Sequence, residues 1–132
     1  MPSRSGTIEV ILPLPPSKNA RTVRKGVCVR GKFINVPVLS PAVLAYRAEV
    51  KSMLRQFVGE LQDGVKIIIE CVWYRPNKQM DVHNFHAELA DAIAPALGLN
   101  DRYFLIRDMD VVEVPRGQGK VWCQLSPMRA IK

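Results

Sequence analysis

Val65-Lys66-Ile67-Ile68-Ile69-Glu70-Cys71-Val72-Trp73-Tyr74 carries the strongest strand signal of the 132-residue chain. The run is β-branched and aromatic, and its apolar residues occupy both parities, so it is expected to be a central strand covered on both faces. Asp63-Gly64 turns the chain into it, and Pro76-Asn77 ends it. Working upstream, Ser40-Pro41 has the form of an N-cap with proline at the first helical position. Val43, Leu44, Val50, Leu54, Phe57 and Val58 keep a helical period from there to Gly59 or Leu61. The alternating apolar residues of segment 21–38, arranged about Arg30-Gly31, predict a basic β-hairpin, and Thr7 to Leu14 predicts a strand that stops at Pro15-Pro16. Downstream, a helix is expected over about Asn84 to Ala94, ending or kinking near Pro95 with Gly98 as terminator. Strands at Tyr103 to Val114 and Lys120 to Leu125 complete the chain. The order strand, hairpin, helix, strand, helix, strand, strand gives an α+β fold: a single domain over 1–132, its core about 7–126, with two helices packed on a mixed β-sheet.

Composition narrows the functional classes. The formal charge is +7, from 19 Lys and Arg against 12 Asp and Glu, and residues 1–40 hold seven basic groups against Glu9 alone. That concentration makes a polyanion the first partner to consider. Cys28, Cys71 and Cys123 are odd in number, widely spaced and in no ligand pattern, which argues against a disulfide framework or a zinc finger and for a reducing, cytoplasmic compartment. Cys71 and Cys123 read as small buried hydrophobes in strands. No apolar run reaches the ~18–20 residues of a membrane span, so no membrane partner is expected. Trp73, Tyr74 and Trp122 fall in strand patterns that read as core, which leaves a single-strand-binding module without exposed stacking aromatics.

Inside this basic chain lies an acidic cluster, Asp81-Val82-His83-Asn84-Phe85-His86-Ala87-Glu88-Leu89-Ala90-Asp91, followed by Asn100-Asp101. On a helix Asn84, Glu88 and Asp91 share one stripe while Phe85, Leu89, Ile93 and Ala96 lie opposite. An extended stretch 81–83 would point Asp81 and His83 to one side. Converging carboxylates need a cation, and an oxygen-rich set with one imidazole suits Mg²⁺ or Mn²⁺. The competing reading is a solvated helix face, with Glu88 on the surface and His83 and His86 as ordinary surface or core-satisfied histidines.

Six segments taken in order, Leu12-Pro13-Leu14-Pro15-Pro16-Ser17-Lys18-Asn19, Ala45 to Val50, Val65 to Cys71, Asp81-Val82-His83-Asn84, Asp91-Ala92-Ile93 and Gly98-Leu99-Asn100-Asp101, resemble the RusA family of Holliday-junction resolvases. The resemblance spans about residues 8–125. It implies a homodimeric, Mg²⁺-dependent endonuclease of phage or prophage type, cytoplasmic in a bacterial or phage-infected cell, that resolves four-way DNA junctions in recombination and repair. It places metal ligands at Asp81, His83 and Asp101, with Asp91 as a further catalytic residue. His83 stands where the family has an aspartate, and Ala87 where it has a lysine. DNA contacts are expected from Lys18, Asn19, Arg21, Arg24, Lys25, Arg30, Lys32, Lys78 and Asn84. The alternative is a branched-DNA-binding protein of the same fold, its cleavage weakened by those two departures.

Overall fold

A computed structural model describes residues 6–16 and 22–128, with backbone alone at 22 and 23. Among them are six strands and two α-helices: β1 Ile8–Leu12, β2 Thr22–Val29, β3 Lys32–Leu39, α1 Pro41–Leu54, β4 Ile67–Arg75, α2 His86–Leu97, β5 Phe104–Glu113 and β6 Lys120–Pro127. The main sheet runs β1-β6-β4-β5. It is mixed: β6 lies antiparallel to β1 and β4, whereas β5 lies parallel to β4. The parallel pair is joined through α2, the crossover a parallel connection requires. The expected α+β fold of two helices on a mixed sheet is thus present.

The core forms between one sheet face and the two helices. Ile67, Ile69, Cys71 and Trp73 of β4 alternate inward, with Val121, Cys123 and Leu125 of β6 beside them. Tyr46, Val50 and Leu54 of α1 and Leu89, Ala92 and Ile93 of α2 close over that layer. Burying a large aliphatic side chain contributes roughly 1.5–3 kcal/mol, so this layer dominates stability. β4 is central as expected, but only one of its faces is fully covered. Ile68, Glu70, Val72 and Tyr74 on the other remain half-buried.

Local signals account for the helix starts. Ser40 Oγ accepts from Val43 N at 3.2 Å, and Pro41 occupies the first turn. α1 stops at Leu54 and tightens into a 3-10 turn at Arg55–Phe57, short of the expected Gly59. Ahead of α2, Asp81 caps a 3-10 turn over Val82–Phe85, its Oδ1 accepting from His83 N at 3.0 Å. Stretch 81–83 is therefore not extended, and the alternation expected to align Asp81 with His83 does not operate. Pro95 lies in the last turn of α2, and the chain leaves that helix at Gly98.

The basic hairpin forms, but apart from the main sheet. β2 and β3 pair in uninterrupted register from Thr22↔Leu39 to Val29↔Lys32 and make a two-stranded sheet of their own. Arg30 (φ 51°) and Gly31 (φ 78°) turn the corner, and two successive positive φ angles are what a two-residue type I′ loop requires. Among the described residues no helix is long and apolar enough to cross a membrane.

Candidate metal centre

Strand parity creates the site. In β5, Phe104, Ile106 and Asp108 share the helix-covered side, paired in turn with Ile67, Ile69 and Cys71 of β4. A carboxylate therefore follows two apolar residues onto the core-facing side of the strand. Immediately after it the register slips: Cys71 pairs with Asp108 but Val72 pairs with Asp110, so Met109 is an extra residue and β5 bulges there. A bulge bends its strand and re-aims the adjoining side chains.

Above Asp108 lies the turn that opens α2. His83 and His86 are three apart, so a helical turn puts them on one side; their rings meet edge to face at 5.2 Å. His86 Nε2 lies 2.8 Å from Asp108 Oδ1 and 3.0 Å from Oδ2, and His83 Nδ1 lies 4.0 Å from Oδ2. Trp73, buried in β4, donates its indole N–H to Asp108 Oδ1 at 2.7 Å and stacks on the His86 ring with centroids 6.0 Å apart. That donor orients the carboxylate so that both oxygens face His86 and Oδ2 lies toward His83. Side-chain exposure falls from 77% at His83 to 26% at His86 and 19% at Asp108, so the cluster is open at one end and walled at the other.

Among the described residues, His83, His86 and Asp108 are the one group of His, Cys, Asp or Glu whose ligand atoms all lie within 4.8 Å of one another, and it could hold a metal ion. Two ligands at ~2.1 Å around one ion stand roughly 3.0–3.4 Å apart for angles of 90–109°. The His86–Asp108 separation lies just below that range and the His83–Asp108 separation above it, so side-chain adjustment would be needed to form the shell. Three protein ligands leave coordination positions open to solvent, as in catalytic rather than structural sites.

The expected ligand set is placed differently. Asp81 caps its turn through Oδ1 and, with Asn84, lines a recess of about 300 Å³ beside Leu14, Met80 and Phe85. Asp91 and Asp101 line another cleft, about 600 Å³, with Arg47, Asp63 and Asn100. His83 alone of the predicted residues belongs to the metal-competent group. The acidic stripe is solvated only in part, with Asn84 exposed, Asp91 partly so and Glu88 turned inward. Glu88 is completely buried, accepting from Arg47 Nε at 2.9 Å and Nη2 at 3.0 Å, and Arg47 Nη2 lies 3.6 Å from Asp91. The bond to Glu88 holds the Arg47 guanidinium above its ordinary pKa, outweighing the opposing effect of burial.

Of the predicted DNA contacts, Arg24, Lys25, Arg30 and Lys32 are exposed on the hairpin, and Lys78 is exposed near Glu113. Lys18, Asn19 and Arg21 lie outside the described residues. Sequence reasoning passed over Asp108 and His86. The signals were there: a charged residue on the apolar parity of a strand, and the chain's two histidines three residues apart.

No family model matches this chain, and no curated protein matches it. Solved structures that it resembles include 2C-methyl-D-erythritol 2,4-cyclodiphosphate synthase from Plasmodium vivax, 14% identical over 96% of this chain and 97% of that one, with a TM-score of 0.36. Others are IspF of Plasmodium falciparum in a CDP complex (10% identity, 94% and 96% coverage, TM-score 0.36) and the bifunctional IspDF from Campylobacter jejuni (8%, 92% and 41%, 0.35). These likenesses are too distant to lend the chain an activity. With no family model and no curated protein behind it, the RusA resemblance is not upheld. The Holliday-junction endonuclease, its recombination and repair role and the weakened-resolvase alternative are corrected accordingly.

Proposed function

We propose that this chain is a metal-dependent enzyme whose His83, His86 and Asp108 hold one divalent transition-metal ion and present it, with open positions, to an oxyanionic ligand. The observation that carries the reading is the clustering of two imidazoles and a carboxylate oriented by the Trp73 indole. Two nitrogen donors favour Zn²⁺, and after it Mn²⁺, over Mg²⁺, which prefers an all-oxygen shell. Neutral imidazoles and a single carboxylate leave a bound dication with a net positive charge. An anionic oxygen, or a water giving up its proton, is the ligand such a centre stabilises.

Calorimetric titration with Zn²⁺, Mn²⁺ and Mg²⁺ tests this. The expected result is one Zn²⁺ per chain, weaker Mn²⁺ and little Mg²⁺. His86→Ala and Asp108→Asn should each weaken Zn²⁺ binding by at least about tenfold, while Asp81→Asn, which preserves the cap, and Asp101→Asn should leave it near wild type. Mg²⁺ binding as tight as Zn²⁺, or loss of metal on Asp101→Asn, would overturn the assignment.

A further inference from the structure

The hairpin is the part of the molecule that the metal centre does not use. Among the described residues β2 and β3 pair with each other and with no other strand. A two-stranded hairpin alone is marginally stable in water, so one that stands off the main sheet calls for a reason. Between residues 22 and 39 there is no Asp or Glu, and four bases, Arg24, Lys25, Arg30 and Lys32, are all exposed.

The pairing register sorts its residues into two faces. Arg24, Gly26 and Cys28 share one face with their partners Pro37, Asn35 and Phe33; Lys25, Val27 and Val29 share the other with Val36, Ile34 and Lys32. On the first face every side chain is exposed, and Phe33 is 77% exposed, the highest among the exposed large hydrophobic residues described. Its ring lies across Gly26: a Cβ added there would fall 2.3 Å from Phe33 Cε1. Glycine is thus what lets the aromatic lie against its own sheet, with its outer face turned to solvent. Arg24 stands one position along the same face, its guanidinium held toward Asn35 O at 3.5 Å.

From this arrangement we infer that the β2–β3 hairpin binds single-stranded nucleic acid, a base stacking on Phe33 while Arg24 on the same face and Arg30 at the corner hold the flanking phosphates. A flat aromatic face accepts any base, and the surrounding cations follow the backbone; sequence-tolerant single-strand sites combine these two elements. In a duplex the bases are already stacked on one another, so Phe33 has no partner there. The exposed stacking aromatic that Trp73, Tyr74 and Trp122 do not supply is supplied by Phe33. The inference is independent of the metal centre, and its test is run in chelator.

Fluorescence anisotropy with labelled 20-residue deoxythymidine and uridine oligonucleotides, against a DNA duplex of equal length, decides it. The expected result is binding of single strands in preference to duplex, with log K falling against log salt at a slope near −1.4, as about two phosphate contacts give. Phe33→Ala should weaken binding by about ten- to a hundredfold with the slope unchanged, and Phe33→Trp should retain binding with its emission quenched by the oligonucleotide. Arg24→Gln with Arg30→Gln should bring the slope close to zero. Circular dichroism and the urea midpoint of each variant report that the fold is intact. A preference for the deoxy or ribo strand names the natural polymer. Equal binding of duplex, indifference to Phe33→Ala, or a hairpin buried in a dimer that Phe33→Ala dissociates while oligonucleotide fails to bind would each overturn it.

Discussion

Tyr46 shows how a single buried group sets a pH limit. Its hydroxyl donates to Pro13 O at 3.0 Å from a site only 5% exposed, and burial, reinforced by Cys123 and Glu88 nearby, pushes its ionisation well above the ordinary tyrosine range. Below about pH 10 the phenol is protonated in both folded and unfolded chains and its contribution to stability is complete. Above that the unfolded chain ionises while the folded one does not, so stability falls as pH rises. Tyr46→Phe should cost about 1 kcal/mol at neutral pH yet flatten the alkaline decline; urea midpoints at pH 7 and 10.5 for both proteins check this, and equal declines would refute it. Arg47 and Glu88 make a second case. Arg47→Ala strands a buried carboxylate and should destabilise by about 3 kcal/mol, the lower end for a broken buried pair because the guanidinium is itself partly exposed. Adding Glu88→Gln should recover part of that loss in chemical denaturation, since a neutral amide is cheaper to bury. This pair also marks a limit of sequence reading: the stripe Asn84, Glu88, Asp91 has the period of a solvated face, and only a partner 41 positions upstream turns Glu88 inward.

At the scale of elements, what was legible rested on local chemistry. The Ser40 cap, Pro41, the Arg30-Gly31 corner and the β4 run each act within a few residues, and each forms where the sequence placed it. What was not legible depended on pairing between strands. Asp108 reads as a site residue only once β5 is known to lie parallel to β4 with Phe104 and Ile106 turned to the core, and the cap at Asp81 removed the alternation on which the Asp81/His83 pair relied. The bulge at Met109 belongs to this scale and can be tested there. Deleting Met109 regularises the ladder after Cys71↔Asp108, and regular pairing reduces the local bend that aims the carboxylate at His86. The variant should unfold at a denaturant concentration close to wild type while binding Zn²⁺ at least about tenfold more weakly, because a shell of three ligands tolerates little displacement of one. Unchanged metal affinity in a folded variant would show that the bulge does not position the centre.

For the molecule as a whole, charge and architecture divide along the same line. The main sheet, its two helices and the His83/His86/Asp108 cluster form one packed body, whereas the hairpin carries four bases, has no acid and keeps its own sheet. If that division is real, the two parts should be separable. Thr22 and Leu39 are paired at the open end of the hairpin, and paired residues of antiparallel strands lie about 4.5–5.5 Å apart, so a two-glycine link can replace residues 23–38 without straining either neighbour. Val27, Val36 and Val38 are half-buried, so some apolar contact is lost, but every fully buried member of the core cluster remains. The shortened chain should therefore unfold cooperatively, with its melting temperature lowered by a few degrees, roughly what 1 kcal/mol costs a domain of this size. It should bind Zn²⁺ as the full chain does and bind no single-stranded oligonucleotide. A shortened chain that fails to fold would make the hairpin part of the core. One that folds but loses Zn²⁺ would tie the two sites together, and one that keeps its oligonucleotide binding would place that binding elsewhere on the basic surface.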